Sequence, residues 1–363
     1  MPTPRPQDLR FLLIGFLPLL ALLNVSFGGM AAALWTVGIW AVVAGVDAFW
    51  PGAQRSPPPA DAPQGWLVGV LRVYAVLQIV LIVAGLLAAR DARWLDVALL
   101  AGAVGFVTGA QGITFAHELG HSRSRLDRAL AWLLMTSVAY PHFMVEHYRG
   151  HHPRAATHDD PASARRGESL WRFLPRTLAG SLRHAWHLEA AQLRQLQRGW
   201  AASPLLWTSL AVLGVSAALL AWGGARALAF WWLQSAVAVL LLETVNYIEH
   251  YGLQRATLPG GQREPFAVGH AWNADHVVSN SLLANLQRHS DHHMHAWKPF
   301  DTLQALPGPQ LPTGYAGCLL LAAVPPLWFG LMHPRLEAWS AGELPLARNP
   351  NMIERVTSTE LRK

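Results

Sequence analysis

Six stretches of the chain are apolar on every side for close to the roughly 20 residues that a helix needs to cross a bilayer. They cover about residues 11–28, 30–48, 66–88, 95–116, 204–222 and 227–248. The first follows Arg5 and Arg10 and so has the outline of a signal peptide. A second apolar run follows it at once with no small-residue cleavage site between them, so the pair reads as a helical hairpin. Two shorter apolar stretches complicate the count. Residues 129–145 are broken by Pro141, and residues 315–332 carry Pro325 and Pro326. Both read as interfacial or buried segments that roof the region beside them. The expected fold is all-α and integral to the membrane: one domain over residues 1–363, a six-helix transmembrane bundle with its chemistry in the segments 117–203 and 249–340.

Composition agrees. Charged residues make up 14% of the chain and hydrophobic ones 52%, whereas a soluble domain carries nearer a quarter of its residues as charges. Charge also orients the bundle. The short loops on one side hold only Arg90, Arg93 and Arg226, while the segment 117–203 holds twelve arginines. The positive-inside rule puts that segment and both termini in the cytoplasm of a multi-pass inner-membrane protein. The basic face is accounted for by topology and contact with anionic lipid; its sharper use is docking of an acidic protein, and no nucleic-acid partner is expected. Residues 51–65 form a proline-rich loop between the second and third spans, with no function assigned. The single cysteine, Cys318, excludes a disulfide framework and an iron–sulfur or rubredoxin centre within this chain.

The candidate chemistry lies in the seventeen histidines, nine of which fall into four groups. His117 and His121 stand one helical turn apart in "HELGH". His147, His151 and His152 share "EHYRGHH", His250 sits in "NYIEHYGL", and His289, His292 and His293 share "LQRHSDHH". On its own, His117-Glu118-x-x-His121 spells the zinc-protease helix signature, with Glu118 as base. A catalytic zinc takes three protein ligands and keeps one position open. Nine imidazoles are too many for one ion and suit two, with four or five each. Spacing alone does not name the metal, because neutral imidazole suits zinc, copper, iron and nickel. An intramembrane protease would leave seven patterned histidines idle. A metal transporter would line a path across the membrane instead of gathering its ligands at one end. Glu118 is then expected to accept a hydrogen bond from a ligand's second N–H.

Taken together, these motifs resemble the integral-membrane alkane hydroxylases, within the histidine-box family that includes membrane fatty-acid desaturases and xylene monooxygenase. The stretches "DPASARRGES" at 160–169 and "HAWNADHVVSN" at 270–280 also read like that family. The resemblance implies two non-haem irons at the cytoplasmic end of the bundle, held by His117, His121, His147, His151, His152, His250, His289, His292 and His293. It further implies O2-dependent hydroxylation of a terminal methyl group on an alkyl chain drawn from membrane lipid, with electrons from rubredoxin and its reductase. Xylene-type methyl hydroxylation and fatty-acid desaturation or hydroxylation are the alternatives within the same family.

The stretch Lys298-Pro299-Phe300-Asp301 departs from the family's wording, where arginine and tyrosine are usual; lysine lacks arginine's planar fork and Phe300 lacks a hydroxyl. His270 and His276 are candidates to support ligands, as are Asp160, Glu249, Asp275 and Asp291. His142 and His333 are expected to tolerate replacement; His158, His184, His187 and His295 have no assigned role. In the second span, Trp40 either faces lipid near the interface, where tryptophan is common, or faces a substrate tunnel and stops it.

Overall fold

The computed structural model describes residues 5–50 and 63–342, so nearly all of the proline-rich loop lies outside the described residues. Among those described, helices form every extended element, beside two isolated bridges, Thr257 with Arg263 and Asn273 with Gln310. α1 (Pro6–Val25), α2 (Gly29–Phe49), α3 (Gly65–Ala89), α4 (Trp94–His121) and α7 (Pro204–His250) are long and apolar enough to cross a membrane. Between α4 and α7 come α5 (Arg125–Ser137) and α6 (Leu170–Gln195), and after them α8 (Val277–Leu282), α9 (His289–Met294), α10 (Tyr315–Ala322) and α11 (Pro325–Ser340). The segment from α10 into α11 bends by 120° and would add one more span if counted as a single unit. The other prolyl stretch, 129–145, divides into the end of α5 and a turn leading to a short helix, Phe143–Glu146.

The two expected spans 204–222 and 227–248 form one helical stretch of 47 residues. Straight, it would reach about 70 Å, over twice the hydrocarbon thickness. It breaks instead at Gly224, whose φ of 65° and ψ of −159° suit a residue without Cβ. Its start lies beside α6, where Ser203 Oγ donates to Glu189 at 2.6 Å, and Glu189 pairs with Arg149 next to the histidines. Its end carries His250, also among the histidines. The break lies at the opposite end, beside the α3–α4 turn: Arg90 is 5.3 Å from the Trp222 ring and Arg226 5.9 Å from Trp94. The two legs are therefore antiparallel.

Within a bilayer, lipid is as apolar as leucine, so helices associate through close packing and hydrogen bonds. α4 and α7 use both. Gly105 and Gly109, four residues apart, lie against α7; a Cβ on Gly109 would come 2.7 Å from Ala238 Cα, and one on Gly105 2.6 Å from the Gln234 carbonyl. Buried Gln234 accepts from Thr108 Oγ1 at 3.0 Å and donates to the Ser137 carbonyl at 3.1 Å, while Gln78 of α3 donates to Ser137 Oγ at 2.9 Å. This ties α3, α4, α5 and α7 into one frame, and α4 and α7 both end in candidate ligands. Gly109→Val is expected to lower unfolding stability by about 1–3 kcal/mol through overpacking, read from the thermal midpoint of purified protein in detergent. An unchanged midpoint would show that the α4–α7 contact is looser than its geometry.

Candidate metal centre

Local backbone geometry aims the histidines. α4 contains a π turn at Thr108–Ile113, then resumes as α-helix and ends on His121, after which Ser122 turns extended and Ser124 caps α5 by accepting from Asp127 N. A second π turn covers His147–His151. The wider turn departs from the expected α-helical spacing and leaves the rings of His147 and His151 stacked with centroids 5.2 Å apart. Such turns inside helices are frequent at functional sites.

All nine patterned histidines come together, in two adjacent groups. His117, His121, His147, His152 and His292 form one; His151, His250, His289 and His293 form the other; within each, one ring nitrogen per residue lies within 4.8 Å of all the rest. The sequence motifs are shared between them. "EHYRGHH" sends His147 and His152 to the first group and His151 to the second, and α9 sends His292 to the first and His289 and His293 to the second. His152 and His293 meet across the divide with ring centroids 4.5 Å apart.

Ring nitrogens face one another in pairs: His147 and His152 Nε2 at 2.9 Å, His151 and His293 at 3.2 Å, His250 and His289 at 3.2 Å. Nε2 of His117, His121 and His292 is buried without a hydrogen-bond partner. A buried polar atom left unpaired costs about 1–3 kcal/mol, so this many converging nitrogens fit a donor set for cations. Burial, then neighbouring imidazoles, holds His147, His152, His289, His292 and His293 well below the usual histidine range. They are neutral, the form that coordinates a metal. His151 moves the other way: burial lowers it, but the carboxylates of Asp160, Glu146 and Glu249 together outweigh burial and raise it to about 9.

Several candidates to support the ligands meet them. Asp160 Oδ2 lies 2.9 Å from His151 Nδ1 and is itself held by Ser163 Oγ at 2.6 Å. The backbone carbonyl of His270 lies 3.2 Å from His250 Nδ1, while the His270 ring lies 3.0 Å from Glu264. Glu249 Oε1 is 3.2 Å from His289 Nδ1, with the ring turned off a straight hydrogen bond. The others do not. Asp275 binds Arg288; Asp291 takes His295 and Lys298, the lysine of the divergent stretch; His276 lies near Asp47. Glu118 departs from the expectation: its carboxylate accepts from Phe300 N at 3.0 Å, which fastens the loop after α9 to α4 in place of the expected contact with a ligand N–H. His142 also differs from a neutral bystander, being buried beside Glu146 and His147. His333 lies 2.9 Å from the Tyr251 hydroxyl, away from both groups.

One cavity opens from the histidines into the bundle. It encloses about 970 Å³ of space, part of it open to the outside. Its polar end holds His117, His147, His289 and Glu249, and its long walls are apolar, among them Leu17, Ile39, Val43, Phe106 and Leu242. Trp40 is one of the lining residues; its ring packs on Phe106 and Nε1 donates to the Ala316 carbonyl at 2.8 Å. The tunnel-facing alternative for Trp40 is the one that forms, and Trp35 instead lies exposed.

The comparisons with known proteins agree with this geometry. A family model described as fatty acid desaturase matches residues 92–318. The chain is 38% identical to alkane 1-monooxygenase 2 of Pseudomonas aeruginosa over 309 residues, 83% of this chain and 81% of the relative. It is 35% identical to the alkane 1-monooxygenase of Pseudomonas putida over 327 residues, 88% of this chain and 80% of that one. The chain belongs to the alkane 1-monooxygenase family. This membrane monooxygenase is also 30% identical, over 68% of each chain, to the hydroxylase component of xylene/toluene monooxygenase from Pseudomonas putida. Tyr315, which lines the cavity and reaches Glu249, escaped the sequence reading: it stands at the head of an apolar run, outside every histidine motif.

Proposed function

We propose that this monooxygenase inserts one oxygen atom of O2 into the terminal methyl group of a linear alkane or related alkyl chain, at two irons held by the nine histidines. The observation that supports it best is that both groups of converging imidazole nitrogens reach one long apolar cavity. On this reading the five-histidine group holds one iron and the four-histidine group the other. Bound iron supplies a reducible metal that activates O2 for attack on a C–H bond. The chain's own residues do the rest. Asp160 and the His270 carbonyl hold the tautomers of His151 and His250, so that Nε2 faces inward. The cavity walls exclude water and lay an extended chain with its end toward the histidines, which gains rate by orientation.

Electrons come from a separate donor, rubredoxin with its reductase. Buried Cys318 is the one cysteine, and four thiolates are needed to build such a centre in this chain. The docking face is the basic one, where Arg123, Arg125, Arg128, Arg183 and Arg194 stand exposed. On this reading six spans, with the two legs of α7 counted separately, leave the described ends and the histidines on one side, and the arginine excess of 117–203 supports taking that side as the cytoplasmic face of the inner membrane. Metal analysis of purified protein is expected to find two irons per chain. Supplied with rubredoxin, reductase, NADH and a panel of alkanes, fatty acids and alkylbenzenes, it is expected to release 1-alkanols from the alkanes most rapidly. One zinc per chain would end this reading, and turnover with NADH and O2 alone would end the donor assignment.

A further inference from the structure

The cavity wall carries a buried residue, Tyr315, that the nine-histidine reading leaves without a task. Tyr315, at the start of α10, is buried, and its hydroxyl donates to Glu249 Oε1 at 2.6 Å. The same oxygen lies 3.2 Å from His289 Nδ1, close enough to face it but off a straight hydrogen bond. Tyr315 is itself fixed by its backbone: its N–H donates to Gln287 Oε1 at 2.8 Å, two residues before His289, and the next carbonyl, that of Ala316, accepts from Trp40. Both Tyr315 and Glu249 face the cavity.

The four-histidine group shows what this arrangement is for. Nδ1 of His151 meets Asp160, Nδ1 of His250 meets the His270 carbonyl, and Nδ1 of His289 faces Glu249. Asp160 is steadied in turn by Ser163 Oγ and by Ala162 N at 3.0 Å. Glu249 has Tyr315 in the corresponding place. A carboxylate beside an imidazole fixes its tautomer and ring angle only as well as the carboxylate is itself held.

We propose that Tyr315 is a positioning residue, whose hydroxyl fixes the Glu249 carboxylate against Nδ1 of His289 and so sets that imidazole from the wall of the substrate cavity. The proposal rests on the reading of the nine histidines as iron ligands.

Tyr315→Phe keeps the ring and removes only the hydroxyl. In iron-loaded protein with its electron donor, two quantities are read: the half-time of iron loss to an added chelator, and the NADH consumed per alcohol formed. Iron is expected to leave about three to ten times faster, somewhat under the 10–100-fold typical of a direct partner of a ligand, and NADH use per product is expected to rise. Glu249→Gln is expected to change the same two quantities, and adding Tyr315→Phe to it should change neither further, because the two groups act in series. Wild-type behaviour of Tyr315→Phe in both quantities, or fully additive effects in the double variant, would overturn the proposal. If Tyr315→Phe does not accumulate as folded protein, Glu249→Gln decides alone: unchanged iron release there sinks it equally. A wild-type protein that carries no iron would instead overturn the metal reading beneath it, so the two failures are told apart by the wild-type control.

Discussion

Alanine in place of His147 is expected to cut hydroxylation at least about tenfold and to lower iron below two per chain. Replacing even an outer partner of a metal ligand typically costs 10–100-fold, and on the proposed reading His147 is a ligand itself. It also stands on the π turn, lines the apolar cavity and faces His152 at 2.9 Å, so its loss touches both metal and substrate. The same change at His250 is expected to cost more. His250 belongs to the group of four, which has one donor fewer to spare than the group of five. His187, exposed on α6, is the fitting control and is expected to keep near-normal rates. His142 is a poorer control than its sequence suggested, since it is buried next to Glu146 and His147. Iron analysis and initial rates on the same preparations check all three. A His147→Ala protein with full iron and full rate would remove that residue from the site.

The gathering of the nine histidines was legible in the sequence because their spacing is local: His117 and His121 lie on one face of any helix, and so do His289 and His293. The apolar stretches were legible for a similar reason, since crossing a bilayer is a demand on composition and length. What escaped was set by contacts between distant segments. The sequence could not divide "EHYRGHH" between two groups, because that division depends on a π turn and on where α9 packs. Glu118 looked like a partner for a ligand, yet Phe300, 182 positions later, takes it. The span boundary near 224 was placed within a few residues, but a single glycine makes the turn where a short loop was expected. Tyr315 carries no local mark at all; only its 2.6 Å contact with Glu249, 66 residues earlier, identifies it.

Serine in place of Trp40 is expected to lengthen the alkyl chain that is turned over fastest by a few carbons, with iron content unchanged. Beyond the main cavity lies a much smaller one, lined by Leu20, Ala21, Asn24 and Thr36 among others. Leu17, Ile39 and Phe106 face both spaces and so form the partition between them. Trp40 stands beside that partition and packs on Phe106 with ring centroids 5.6 Å apart. Removing the indole takes away the support of Phe106 and a bulk equal to several methylenes, which opens the smaller space to the end of a longer chain. Each methylene newly buried gains up to about 0.8 kcal/mol, or roughly fourfold in relative rate. The substitution also deletes a half-buried ring and its bond to the Ala316 carbonyl, so yield and stability should fall; losing a large core aromatic costs about 3–5 kcal/mol. Chain-length preference is a ratio of rates within one preparation, and that loss cancels from it. Phe106→Ala, acting on the partition from the other side, is expected to shift the profile in the same direction. Profiles that stay at the wild-type length in both variants would place the stop elsewhere along the cavity.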